Sequence, residues 1–99
     1  MSAPHRIPTH SGAVLREDVL PAVKMPVARV AEVLGISRQM LHKILAERAP
    51  ITPEMAVRIG KFCGNGPDLW LGMQVQHDLA KAQIALADEV ARIPTTRAA

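Results

Sequence analysis

Residues 34–52 read LGISRQMLHKILAERAPIT, and the spacing of their polar side chains decides the fold. Ser37 is an N-cap residue type standing before an amphipathic run, and Ile36 ahead of it can staple onto Leu41. A helix is therefore expected from Ser37 to about Ala46. At about 100° per residue, Arg38 falls at 0°, His42 at about 40°, Ala46 at about 80°, Gln39 at about 100° and Lys43 at about 140°. Met40, Ile44, Leu41 and Leu45 fall between about 200° and 340° on the same wheel. One face carries two cations, an imidazole, an amide and a small alanine, and the other is apolar.

Upstream, Val27, Val30, Ala31 and Leu34 repeat at i, i+3, i+4, i+7, which marks a helix from about Pro26 to Leu34. Gly35 follows where a left-handed C′ residue is wanted. Two amphipathic helices joined by Gly-Ile-Ser form a helix-turn-helix arrangement. A single helix fits the major groove of duplex DNA, where arginine can bond guanine O6 and N7 and glutamine can bond adenine N6 and N7. An ordinary solvated face on a helical bundle would give the same wheel. The short turn and a local charge balance of +3 over residues 36–64 favour DNA. From Asn65 onward the balance is −1.

Prolines punctuate the rest. Residues 1–10 read as a flexible arm. A first helix is expected from Ser11, as its cap, to Leu20, stopped by Pro21. "TPE" at 52–54 opens a fourth helix with Thr52 as cap, Pro53 at N1 and Glu54 complementing the dipole. Met55, Ala56, Ile59 and Cys63 form its inner face, and Gly60 signals a close contact. "CGNGP" is a loop. A fifth helix is expected from Pro67 to Ile93, ended by Pro94, with residues 94–99 a flexible tail. Its later apolar positions, Val75, Leu79, Ala82, Leu86 and Val90, come close to a 4-3 repeat, which suggests pairing with a second copy. Folding back along the domain is the plainer use of such a stripe. The expected organisation is a helix-turn-helix domain over 11–74 and a dimerising helix over 75–93, all-α throughout.

Composition limits the alternatives. The chain has 99 residues, a net charge of +3 and 2% aromatic residues, which suits one small helical domain better than a β fold. Cys63 is the only cysteine, so an internal disulfide and a cysteine-based zinc site are excluded. His5, His10, His42 and His77 show no metal-ligand spacing. Ser37 and His42 lack an organised acid, so no catalytic residue, metal or cofactor is expected. Cys63 and Trp70 are expected in the core. No apolar run reaches membrane-spanning length and no signal core opens the chain, so a cytoplasmic protein is expected.

The chain resembles the HigA-type antitoxins of the Xre/Cro-like, lambda-repressor-like helix-turn-helix proteins. The resemblance runs from His10 to about Leu79, through "HSGAVLREDVLPA", "VARVAEVLGISRQMLHKILAERAPITPEMAVRIGKFCGNGPDLWLGMQ" and "HDL". The "LGISRQ" turn, "RAPITPEMA" and "GNGPDLWL" are specific in combination. It implies a five-helix domain that forms a homodimer, binds a palindromic operator in double-stranded DNA and represses its own operon. It also implies a partner, a HigB-type toxin of the RelE-like mRNA endonuclease group. Matched position by position, Ser37, Arg38, Gln39, His42 and Lys43 fall on the recognition helix, and Arg48 and Thr52 fall where phosphate contacts are expected. The charged cluster Arg16, Glu17 and Asp18, net acidic, is a weaker candidate for toxin contact. A stand-alone phage- or plasmid-type repressor is the alternative. The sequence departs from the family at Ser11, at "MPV" 25–27, at Met40 and at Cys63, where proline, a polar cap, a small hydroxyl residue and an aromatic are usual.

Overall fold

The structure is a computed structural model and describes residues 6–96. Among these it has six helices and no strand. Helix α1 runs in three joined segments, Ser11–Val14, a π-helical turn Leu15–Val19, and Leu20–Val23. Then come α2 Val27–Leu34, α3 Arg38–Leu45, α4 Pro53–Cys63, α5 Pro67–Ala85 and α6 Ala87–Ala91. The five expected helices are present, and α6 is the far end of the fifth, cut off at Leu86.

The caps follow from the sequence with one exception. Ser37 Oγ accepts the N–H of Met40 at 3.0 Å, and Thr52 Oγ1 accepts that of Met55 at 3.2 Å. Helix α2 begins after Pro26 without a side-chain cap and ends on Gly35 at φ 73°. The exception is α1. Its cap is His10, whose Nδ1 accepts the Gly12 N–H at 2.8 Å. Ser11, expected to cap, instead donates its hydroxyl to the Trp70 carbonyl at 2.8 Å. Nor does Pro21 stop the helix, which continues to Val23. In a regular α-helix the Pro21 ring would meet the carbonyl four residues back. The turn before it is widened, with the Leu20 N–H bonding the Leu15 carbonyl, five residues back. Pro21 then sits in the first turn of the segment that follows, where no N–H is needed.

The core is one cluster: Leu15, Val30, Ala31, Leu34, Leu41, Ile44, Leu45, Ile51, Met55, Ala56, Ile59 and Trp70. Helix α4 packs mainly on α5, α2 packs on α3 and α4, and α1 packs on α3 and α5. The expected contact at Gly60 is with the turn into α5. A Cβ there would lie 2.6 Å from the Pro67 nitrogen and closer still to the Gly66 carbonyl carbon. Trp70 is fully buried, and its indole N–H donates to Asn65 Oδ1 at 2.8 Å. Cys63 is half-buried, and burial pushes its thiol pKa up. Every residue from Lys81 to Thr96 is exposed, so the end of α5 and all of α6 project from the domain. Of the expected arm, Arg6–Thr9 are exposed while His10 is buried; residues 1–5 and 97–99 lie outside the described part.

Candidate nucleic-acid interface

Helix α3 divides as the wheel requires. Leu41, Ile44 and Leu45 are buried, and Arg38, Gln39, His42 and Lys43 are exposed together on the opposite side. Met40 is the correction: the wheel groups it with the inward residues, but it is 38% exposed. It lies at the edge of the apolar arc, about 90° from the arc's buried centre and farther from it than Leu41, Ile44 or Leu45. An apolar side chain thus borders the polar face.

The cations sort into two groups. Arg16, Arg29 and Arg58 are paired, to Glu17 and Glu47, to Glu32, and to Glu54. Among the described residues, Arg38, Lys43 and Arg48 have no ion pair. Arg6, Lys24, Lys61, Lys81 and Arg92 are likewise without an ion pair among these residues, but Arg38, Lys43 and Arg48 are the ones on or next to the exposed face of α3, with their donors available to an anionic surface. Ser37 and Thr52 are exposed, and their oxygens already accept from their own helices. Each hydroxyl still has its proton to donate outward.

The segment that carries Arg48 and Thr52 is held from beneath. Gln74 is buried on α5; its Oε1 accepts the Ile51 N–H at 2.9 Å and its Nε2 donates to Asp78 at 3.0 Å. Two residues past the end of α3, Glu47 stands at φ 61°, a conformation unusual for a residue with a side chain. Arg16 stabilises that end, donating from Nη1 to the Leu45 carbonyl at 2.7 Å and to Glu47 Oε2 at 3.3 Å. Its bonds to Glu17 and then Glu47 hold the guanidinium pKa above its ordinary value. The Arg16 side chain, 41% exposed, is thus tied to the end of α3, and Glu17 and Asp18 beside it are exposed as well. Sequence spacing marks Arg16 only as a weaker candidate for toxin contact and does not single out Gln74; their support of α3 comes from partners 29 and 23 residues away.

The apolar positions of the C-terminal stripe are uncovered. Val75, Leu79, Leu86 and Val90 are between 43% and 52% exposed, and Ala82 is exposed. Ile84, also exposed, faces the other side of α5, about 180° from Val75, and the exposed Ile93 follows the end of α6. Leu86 at φ −104°, ψ 10° breaks the helix, so the stripe is carried on two rods. No helix among the described residues is long and apolar enough to cross a membrane.

The helix-turn-helix family model matches residues 15–70, and the chain belongs to that family. It is 32% identical over 74 residues to an uncharacterised HTH-type transcriptional regulator of Haemophilus influenzae, covering 75% of this chain and 69% of that protein. Among solved structures it is similar to the antitoxin GraA in complex with its operator, at a TM-score of 0.88 and 28% identity, covering 99% of both chains. It is also similar to the Pseudomonas aeruginosa antitoxin HigA with the higBA promoter, at a TM-score of 0.83 and 25% identity, covering 92% of this chain and 99% of that one. The resemblance to HigA-type antitoxins thus extends from short motifs to the whole fold.

Proposed function

We propose that this helix-turn-helix protein is the antitoxin of a type II toxin–antitoxin pair. It acts in the cytoplasm as a homodimer that binds a palindromic operator and represses its own operon. It neutralises a HigB/RelE-like mRNA endonuclease by binding it, and has no enzymatic activity of its own. The observation that carries this reading is the exposed face of α3, where Arg38 and Gln39 sit one turn or less from the capped N-terminus with their donors unengaged. Arg38 and Gln39 read bases, with His42 and Lys43 beside them. Ser37, Arg48 and Thr52 hold the phosphates. Structures of similar antitoxins with operator and promoter DNA support the assignment. The stripe Val75, Leu79, Ala82, Leu86 and Val90 pairs two copies, and two-fold symmetry then sets half-sites about 10 bp apart, or a multiple of that. The exposed Glu17 and Asp18 give a basic toxin an acidic surface.

Footprinting on the DNA upstream of its own reading frame tests this. Wild type should protect a palindrome, and Arg38→Ala should lose about 1–3 kcal/mol and relax preference at one base position. An unchanged footprint with Arg38→Ala removes α3 as the reading helix. Co-expression with the neighbouring frame, followed by pull-down, separates the antitoxin from a stand-alone repressor.

A further inference from the structure

Helix α2 ends at Leu34, and its last carbonyls need partners. The Gly35 N–H bonds the Glu32 carbonyl at 3.1 Å and the Ile36 N–H bonds that of Ala31 at 3.0 Å. The Leu34 carbonyl is taken from outside the motif: Arg58 Nη1, on α4, donates to it at 2.9 Å. The other arm of the fork, Nη2, donates to Glu54 Oε1 at 3.2 Å, one turn earlier on α4. Glu54 lies in the first turn of α4, where the helix dipole favours a carboxylate. The guanidinium is therefore held at one arm and aimed with the other. Gly35 makes room for it, since a Cβ there would lie 2.8 Å from Nη1. The glycine has two jobs: a positive φ and a passage for the arginine.

We infer that Arg58 is a positioning residue for α3, fixing the turn from Gly35 to Ser37 by clamping the Leu34 carbonyl to α4. The inference rests on the DNA-binding reading of α3. Only Gly35, Ile36 and Ser37 separate the clamped carbonyl from Arg38. Their backbone angles set the direction in which α3 leaves α2. Bidentate bonds to base edges depend on that direction, whereas attraction to phosphates falls off slowly with distance and hardly depends on angle. Loosening the clamp should thus lower discrimination between sequences and leave bulk affinity for DNA alone. Two of the five N–H donors of Arg58 are engaged within the chain, and the clamp requires no phosphate contact from the other three.

The full-length chain is used to select duplexes from a random pool. Dissociation constants for the selected duplex and for poly(dI-dC) are then measured across a salt series, for wild type, Arg58→Met, Arg58→Lys and Glu54→Gln. Arg58→Met should reduce the specific-to-non-specific ratio about tenfold, with the salt slope unchanged. Arg58→Lys, which keeps one donor for Leu34, should recover most of that loss. Amide exchange of Ile36 and Met40 should speed up in Arg58→Met while that of Ile59 does not. A salt slope that drops by about 1 makes Arg58 a phosphate contact and overturns the inference. So does an unchanged ratio, or exchange that rises equally at Ile59. If Arg58→Met does not fold, Glu54→Gln decides: it replaces the charge-assisted bond to Nη2 by a weaker neutral one and should lower the ratio about threefold, and no change overturns the clamp. A wild type that selects no duplex sinks the DNA reading alone, because the exchange arm reports on the clamp without DNA.

Discussion

The backbone of Gly12 lies directly against the carbonyl of Ile44, so that a Cβ at position 12 would collide with that oxygen. Helix α1 reaches α3 at this point without a side chain between them. One turn later Arg16 bonds the Leu45 carbonyl at 2.7 Å. Gly12→Ala should therefore destabilise the fold by about 1–3 kcal/mol, the usual penalty of overpacking a tight contact. Urea unfolding measures it. Stability within a few tenths of wild type would mean that α1 can shift freely away from α3.

Arg48 follows α3 on a segment anchored by Gln74 and has no ion pair among the described residues. Arg48→Ala should weaken binding to all duplexes alike and reduce the salt slope by about 1. A loss confined to one sequence would instead place Arg48 among the base-reading residues. Titrations of a cognate and a scrambled duplex at several salt concentrations give the comparison.

The exposed stripe on α5 and α6 predicts a change of assembly. Leu79→Asp with Leu86→Asp puts two carboxylates in the proposed interface, where each would lie buried and unpaired. Sedimentation velocity should show a monomer with unchanged helical content by circular dichroism. A dimer that survives both changes has its interface elsewhere.

His10 makes stability depend on pH. Its ring is buried and stands 4.9 Å from that of His77, edge to face. His77 Nδ1 lies 2.7 Å from the Pro8 carbonyl. Burial first, and repulsion from His77 second, lower the His10 pKa in the folded chain, against attraction from Glu47 and Asp78. The unfolded chain then binds the proton more readily than the folded one. Stability is complete above the ordinary imidazole value of about 6.5 and falls as pH drops from there towards the depressed value. Protonation at Nδ1 also removes the acceptor that caps α1. His10→Asn keeps a capping oxygen and cannot titrate, so its unfolding midpoint should vary less than that of wild type from pH 7 to 5. Equal pH dependence in the two proteins would assign the effect to other groups.

The helix-turn-helix was legible because every local signal agreed: the apolar stripe of α2, Gly35 after it, Ser37 as cap, and the polar arc of α3. Sequence spacing could also place Thr52 and Pro53, since caps are local. It failed where the deciding partner lies far along the chain. Ser11 looks like a cap until Trp70, 59 residues away, claims its hydroxyl. Pro21 looks like a stop because a widened turn leaves no mark in composition. Met40 departs from the wheel because its angle is the one farthest from the buried centre of the apolar arc, and a wheel does not show how wide the covered arc is. Arg58 belongs to an ordinary i, i+4 pair with Glu54 in sequence, and only the approach of α2 turns it into a clamp.

The widened turn at Leu15–Val19 places one spare residue in α1. Deleting a single residue from Arg16–Asp18 would let that turn close to regular α geometry, keeping Ser11 and Gly12 where they are. The residues downstream would keep their phase, because the deleted residue is the one the widened turn absorbs, and Leu20 and Val23 would still border the core. Pro21 would fall back into a helix interior that cannot seat it. The length of this short segment is therefore tightly specified, although of its three exposed side chains only Arg16 reaches across to α3.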